Sequence, residues 1–197
     1  MQSIFMSIYE PWDYQNKGGI GEYPAPPGKC PFKDCRIPLE MKKHGYYERY
    51  FLTTTFTGSI RIRRYRCPKC GRTLSMLPSF CLAGYIYGVE LVITLIKQVY
   101  ELGSVRRVAT EWQTKVEGIS RRIISKYIAR LQNNRGMIQY GINQMSPDNI
   151  GMGRLSGDIE WTERFLSGIQ PALAPEFNAR FHKETGISFM SLQTKIA

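Results

Sequence analysis

The sequence predicts a small α+β fold: a short antiparallel β-hairpin followed by a mostly helical region. Three observations carry this prediction. Four of the five cysteines fall into two close pairs, Cys30/Cys35 and Cys67/Cys70, flanking a segment rich in Tyr, Phe, Ile, Thr and Arg. After Leu77-Pro78 the apolar residues change from strand-like alternation to three- and four-residue steps, which is a helical period. The 27 Lys/Arg against 16 Asp/Glu leave a net charge of +11, with the excess in the first two thirds of the chain.

In chain order, residues 1–29 scatter Tyr9, Trp12, Tyr14 and Tyr23 among glycines and prolines without periodicity. They read as a loosely structured arm whose aromatics pack on the neighbouring cysteine-rich segment. Residues 30–80 read as a four-cysteine zinc ribbon. Each cysteine pair can place two thiolates on one ion from a single tight turn, and the intervening chain lets the two turns meet. Pro31 and Pro68 fix φ after the first cysteine of each pair, and Gly71 permits the positive φ by which such a knuckle turns back. The Cys67/Cys70 spacing is the commonest one for ligands, while four residues between Cys30 and Cys35 is at the long end. The expected cofactor is Zn2+, held by Cys30, Cys35, Cys67 and Cys70.

Ordinary reduced cysteines in a core, or two disulfides in a secreted protein, are the alternatives. Residues 1–10 carry no basic then apolar leader, and Cys81 would be left over, so a reducing compartment is expected. Cys81, among Phe80, Leu82 and Ala83, reads as a small buried hydrophobe, and His44 as a surface residue. Between the pairs, residues 44–54 and 59–67 are the two strands, with the turn expected at 57–59. Ile60 and Ile62 alternate with Arg61 and Arg63, so one side can face a core while the other presents guanidinium groups. Arg64 and Arg66 carry charge to the opposite face near the metal knuckle.

Residues 81–135 read as a helix-turn-helix region, with helices near 89–102, 104–113 and 120–133. Gly103 is a C-terminal stop, and Ser104 and Ser120 are N-caps. In the third helix Ile123, Ile124, Tyr127, Ile128 and Leu131 form the buried side. Arg121, Arg122, Ser125, Lys126 and Arg130 line the other, with Arg106 on the helix before. A helix entering a major groove needs such donors in its N-terminal half. A three-helix bundle with a solvated basic face is the alternative. Residues 136–158, rich in Asn, Gly and Ser, read as a linker, and 159–197 as short C-terminal helices near 159–167 and 175–185.

The charge is distributed as 13 Lys/Arg against 6 Asp/Glu in residues 1–80, 9 against 4 in 81–140, and 5 against 6 in 141–197. A basic front of this kind attracts polyanions, so double-stranded DNA is the expected partner. A homodimer or a transposition-related protein partner is compatible with the same surface. The competing class is a non-catalytic adaptor whose basic ribbon docks on an acidic protein. No apolar run approaches the roughly 20 residues of a membrane span, so a cytoplasmic, nucleoid-associated protein is expected. No Gly-rich phosphate loop, nucleophile elbow or HExxH occurs, and His44 and His182 have no recognisable catalytic partners, so no enzyme is expected.

Residues 30–130 resemble the amino-terminal DNA-binding part of bacterial insertion-sequence transposases. The resemblance rests on the cysteine pairs, on His44-Gly45-Tyr46-Tyr47-Glu48-Arg49, on the run from Arg64-Tyr65-Arg66-Cys67 to Met76-Leu77-Pro78, and on Gly118-Ile119-Ser120-Arg121-Arg122. Short stand-alone bacterial proteins that share this transposase-like ribbon are similar to it as well. Such transposases cut and join DNA with three carboxylates holding two divalent ions on a large mixed sheet. Residues 141–197 leave no room for that sheet, so the resemblance implies DNA binding without strand transfer.

Overall fold

The computed structural model describes residues 2–7, 10–16, 23–145 and 157–191. Its strands are Gln2–Phe5 (β1), Lys42–Leu52 (β2), Thr57–Arg66 (β3) and Thr73–Pro78 (β4), in the sheet order β1-β4-β3-β2. β2 and β3 form the expected antiparallel hairpin, with Tyr46 opposite Arg63, Glu48 opposite Arg61 and Leu52 opposite Thr57. The turn lies at residues 53–56 rather than 57–59. Thr53 Oγ1 accepts the backbone N–H groups of Thr55 at 3.2 Å and Phe56 at 2.9 Å, closing a tight turn that frees Thr57 and Gly58 to pair.

β4 is an antiparallel neighbour of β3, and β1 adds to it in parallel, Gln2 opposite Ser75 and Phe5 opposite Pro78. The arm expected over residues 1–29 is thus partly regular. Besides β1 it holds a helix, Pro11–Asn16 (α1). β3 pairs with β4 only over Arg63–Arg66, which leaves the carbonyls of Ser59 and Arg61 without a strand partner on that side. The arm supplies the missing donors. The hydroxyls of Tyr14 and Tyr23 donate to Arg61 O at 3.0 and 3.1 Å, and Gln15 Nε2 donates to Ser59 O at 3.2 Å. The arm's aromatics do pack on the hairpin, as helix and loop; Tyr9 lies outside the described residues.

The helices of the second half are Val89–Leu102 (α2), Val105–Trp112 (α3), Arg121–Asn133 (α4), Arg135–Met145 (α5), Asp158–Ser167 (α6) and Ala174–Thr185 (α7), with a 3-10 turn at Pro171–Leu173. Ser104 Oγ accepts from Arg107 N and Ser120 Oγ from Ile123 N, so both serines cap as their sequence position implies. Asp158 is the first residue of α6. Its carboxylate pairs with Arg135 at 3.0 Å.

The linker expected over 136–158 is corrected by α5. Gly141 there is buried and lies directly under the Phe181 ring. Asn134, between α4 and α5, is fully buried, and its Nδ2 donates to Phe189 O at 2.8 Å and Ser191 O at 2.9 Å. Residues 146–156 lie outside the described residues.

α2, α3 and α4 touch one another pairwise, and α5, α6 and α7 pack on them. Val92, Leu95, Ile96, Ile124, Leu131, Trp161, Phe165 and Phe181 share one apolar core. A second cluster, with Phe51, Ile60, Ile62, Leu77, Phe80 and Cys81, joins one sheet face to Ala179 of α7. Burying a side chain such as Phe51 stabilises by about 1.5–3 kcal/mol. Cys81 is wholly buried, as its neighbours suggest, and burial pushes its thiol up to about 12. Among the described residues no helix is long and apolar enough to cross a membrane.

Candidate metal centre and basic surface

The other sheet face, near Leu74 and Met76, carries a third cluster in which Cys30, Met41, Tyr65 and Cys67 are buried together. Two chain reversals bring the thiols into it. In one, Cys67 N donates to Arg72 O at 2.9 Å and Gly71 N to Cys67 O at 3.1 Å, with Gly71 at φ 70. In the other, Cys30 N donates to Ile37 O at 3.0 Å, while Cys35 N and Arg36 N both donate to Phe32 O. Phe32 therefore occupies the turn position that Cys67 holds in its own knuckle. The ligand has moved back to Cys30, which accounts for the long Cys30/Cys35 spacing. Arg36 adopts the left-handed φ of 41 that glycine supplies at Gly71.

The four Sγ atoms lie within 4.8 Å of one another, with Cys30–Cys70 and Cys35–Cys67 each at 3.8 Å. Four thiolates bound tetrahedrally at about 2.3 Å from one ion stand about 3.8 Å apart, so the donor set fits a tetrathiolate metal ion. Sequence spacing named all four donors. It did not reveal Arg72, whose Nε donates to Cys70 Sγ at 3.5 Å while Nη2 pairs with Asp34 at 2.5 Å. That guanidinium holds the Cys70 thiol down to about 6 and keeps Asp34 below the usual carboxylate range; burial pushes Cys30 up to about 12. Arg72 also lies over the Phe32 ring at 4.2 Å, so one side chain ties the two knuckles together.

The arginines expected on the hairpin divide. Arg61 and Arg66 are exposed. Arg66 Nε donates to Gly71 O at 3.0 Å, and Arg66 lines an open cleft of about 430 Å³ with Lys42, Lys69 and the Cys67 knuckle. Arg64 is half-buried, its guanidinium 6.0 Å from the Tyr47 ring centre. Arg63 is not an outward-facing guanidinium. It is 9% exposed and lies over Tyr46 at 4.6 Å and Tyr65 at 5.6 Å, with the Tyr23 ring on the same guanidinium at 5.9 Å. Lys42 and Lys69, which the sequence did not single out, take its place in the exposed basic set.

On α4, Arg121, Arg122, Ser125 and Lys126 are exposed, as is Arg106 on α3. Arg130 is half-buried with its guanidinium 5.8 Å from the Tyr85 ring centre, so the exposed basic stretch is the N-terminal half of α4. The turn before α4 is anchored to the sheet side. Tyr50 Oη donates to Glu117 Oε2 at 3.1 Å, and Tyr87 Oη donates to Glu117 O at 3.0 Å. Gly118, at φ 76, sits where a Cβ would lie 2.8 Å from the Tyr87 hydroxyl. No protein-family model matches this chain, and no curated protein or solved structure does so either.

Proposed function

We propose that this chain is a zinc-dependent protein that binds double-stranded DNA, related to insertion-sequence transposases and acting without strand-transfer chemistry, as an element-end binder or repressor. The observation that carries this reading is the N-terminal half of α4. Arg121, Arg122, Ser125 and Lys126 stand exposed there beside the Ser120 cap. α2 and α3 support that helix from behind, so α3, the turn at 113–120 and α4 act as a helix-turn-helix whose second helix enters the major groove. The macrodipole at the α4 N-terminus favours phosphate in the same place.

Zinc is the metal that fits a tetrahedral four-thiolate donor set with no redox demand. Its role is structural, since all four positions are filled by protein sulfur. The basic cleft at the knuckle, with Lys42, Arg66 and Lys69, supplies backbone contacts that set register without reading sequence. A cytoplasmic, nucleoid-associated location follows from DNA as partner.

Equilibrium binding to duplex DNA over a range of salt tests the proposal. Several phosphate contacts give a steep fall of log K with log salt. A shallow slope, with binding instead to an acidic protein, would replace this reading by the adaptor.

A further inference from the structure

The sheet face that carries Tyr46, Glu48 and Tyr50 on β2 opposite Arg63, Arg61 and Ser59 on β3 is covered, among the described residues, by Tyr23 at Arg63 and along one side of Tyr46. Two aromatic side chains are partly exposed there, Tyr46 at 43% and Tyr50 at 44%. Neither is loosely held. Tyr46 is backed on one side by the buried Arg63 guanidinium at 4.6 Å and flanked by the Tyr23 ring at 5.5 Å. Tyr50 is tethered through its hydroxyl to Glu117. Arg63 Nε is buried without a hydrogen-bond partner, and Arg63 forms no ion pair among the described residues, so its guanidinium acts here against the Tyr46 ring. Exposed Arg61 lies between the two rings.

We infer that this face binds an unpaired nucleic-acid strand, with bases stacking on Tyr46 and Tyr50 and the phosphate backbone running past Arg61. Every base offers a π-face, so stacking on fixed aromatic rings beside a cation suits a single strand, whereas the bases of a duplex are already stacked on each other. Rings held in place beforehand lose little conformational freedom on binding. Among the described residues Glu48 is the acid on the strands of this face, and the Glu117 carboxylate stands at the Tyr50 hydroxyl. Glu48 stands opposite Arg61 in the register with no ion pair between them among the described residues, so its charge opposes the backbone. The inference rests on the nucleic-acid reading above and adds to it a second substrate form, bound at a site separate from α4.

The test uses the full-length, metal-loaded protein with three probes of equal length: a mixed-sequence single-stranded oligonucleotide, its duplex, and an abasic single strand of the same charge. The single strand is expected to bind more tightly than its abasic counterpart by about 5- to 100-fold, since stacking supplies the difference. Tyr46→Ala should lose a similar factor on the single strand and leave duplex affinity unchanged, with Tyr46→Phe retaining most of the binding. Glu48→Gln should tighten it. Equal affinity for the natural and abasic strands overturns the inference without requiring any variant, and so does a Tyr46→Ala variant, with metal content intact, that weakens both forms equally or neither. If the wild-type duplex binds with a steep salt slope and the single strand does not, the inference falls alone. If neither binds, the DNA reading falls with it.

Discussion

The Phe181 ring of α7 occupies the space in which a Cβ on Gly141 of α5 would sit, at a distance of 2.1 Å. Gly141→Ala cannot be accommodated without moving an aromatic ring that is itself fully buried and packed on Phe177 and Phe189. A loss of about 1–3 kcal/mol is expected, lowering Tm by several degrees. Gly136, on the same helix, meets nothing within 4 Å. Gly136→Ala should raise stability by about 0.5–1 kcal/mol through helix propensity alone. Thermal melts of the two variants measure the contrast, and equal effects would show that α5 does not dock on α7.

Metal and fold should be linked at the cysteine cluster. The cluster around Cys30, Met41, Tyr65 and Cys67 is small, so metal binding contributes folding free energy there. About one equivalent of zinc is expected to copurify. Cys67→Ser should abolish it and lower or broaden the thermal transition. Metal analysis with calorimetry checks this, and an unchanged content and melt would remove the metal assignment.

The exposed basic groups should fail in two different ways on DNA. Arg121→Ala or Arg122→Ala should cost about 1–3 kcal/mol on the preferred sequence and less on random duplex, if the side chain makes a bidentate base contact. Replacing Arg61 and Arg66 together should weaken all duplexes alike and reduce the salt slope by about one to two units. Competition between preferred and random duplex decides it. Helix variants that lose both equally would mean α4 is not a recognition helix. Arg63, lying under Tyr46, should alter the salt slope little; its replacement should lower Tm instead.

His182 on α7 has its Nε2 buried without a partner among the described residues, and burial depresses its pKa, opposed by a backbone hydrogen bond at Gln2 of β1. The unfolded chain therefore takes up this proton more readily than the folded one. Its contribution to stability is complete above the unfolded value near 6.5 and is lost as pH falls from there toward the folded pKa. His182→Gln should flatten Tm against pH in that window relative to wild type, with the two curves parallel above pH about 7. Parallel curves throughout would mean that His182 is not titrating against burial.

Much of this architecture rests on short-range signals that a sequence displays directly. The Cys30/Cys35 and Cys67/Cys70 spacings were enough to foresee one cluster of four thiols, because each pair sits in a single turn. The alternation of Ile60 and Ile62 marked the hairpin. The apolar steps with Ser104 and Ser120 caps marked α2, α3 and α4, since caps and helical period act within about four residues. What only the tertiary structure decided depends on partners far along the chain. β1 exists because the edge of β4 accepts Gln2 opposite Ser75, and a parallel pairing of that span leaves no local pattern. α5 exists because Asn134 and Gly141, which locally favour a loop, meet the Phe189 and Ser191 carbonyls and the Phe181 ring. Arg63 alternates with Ile62 just as Arg61 does. The rings of Tyr23, Tyr46 and Tyr65 around it, with β4 alongside at Met76, separate a buried, ring-stacked guanidinium from an exposed one.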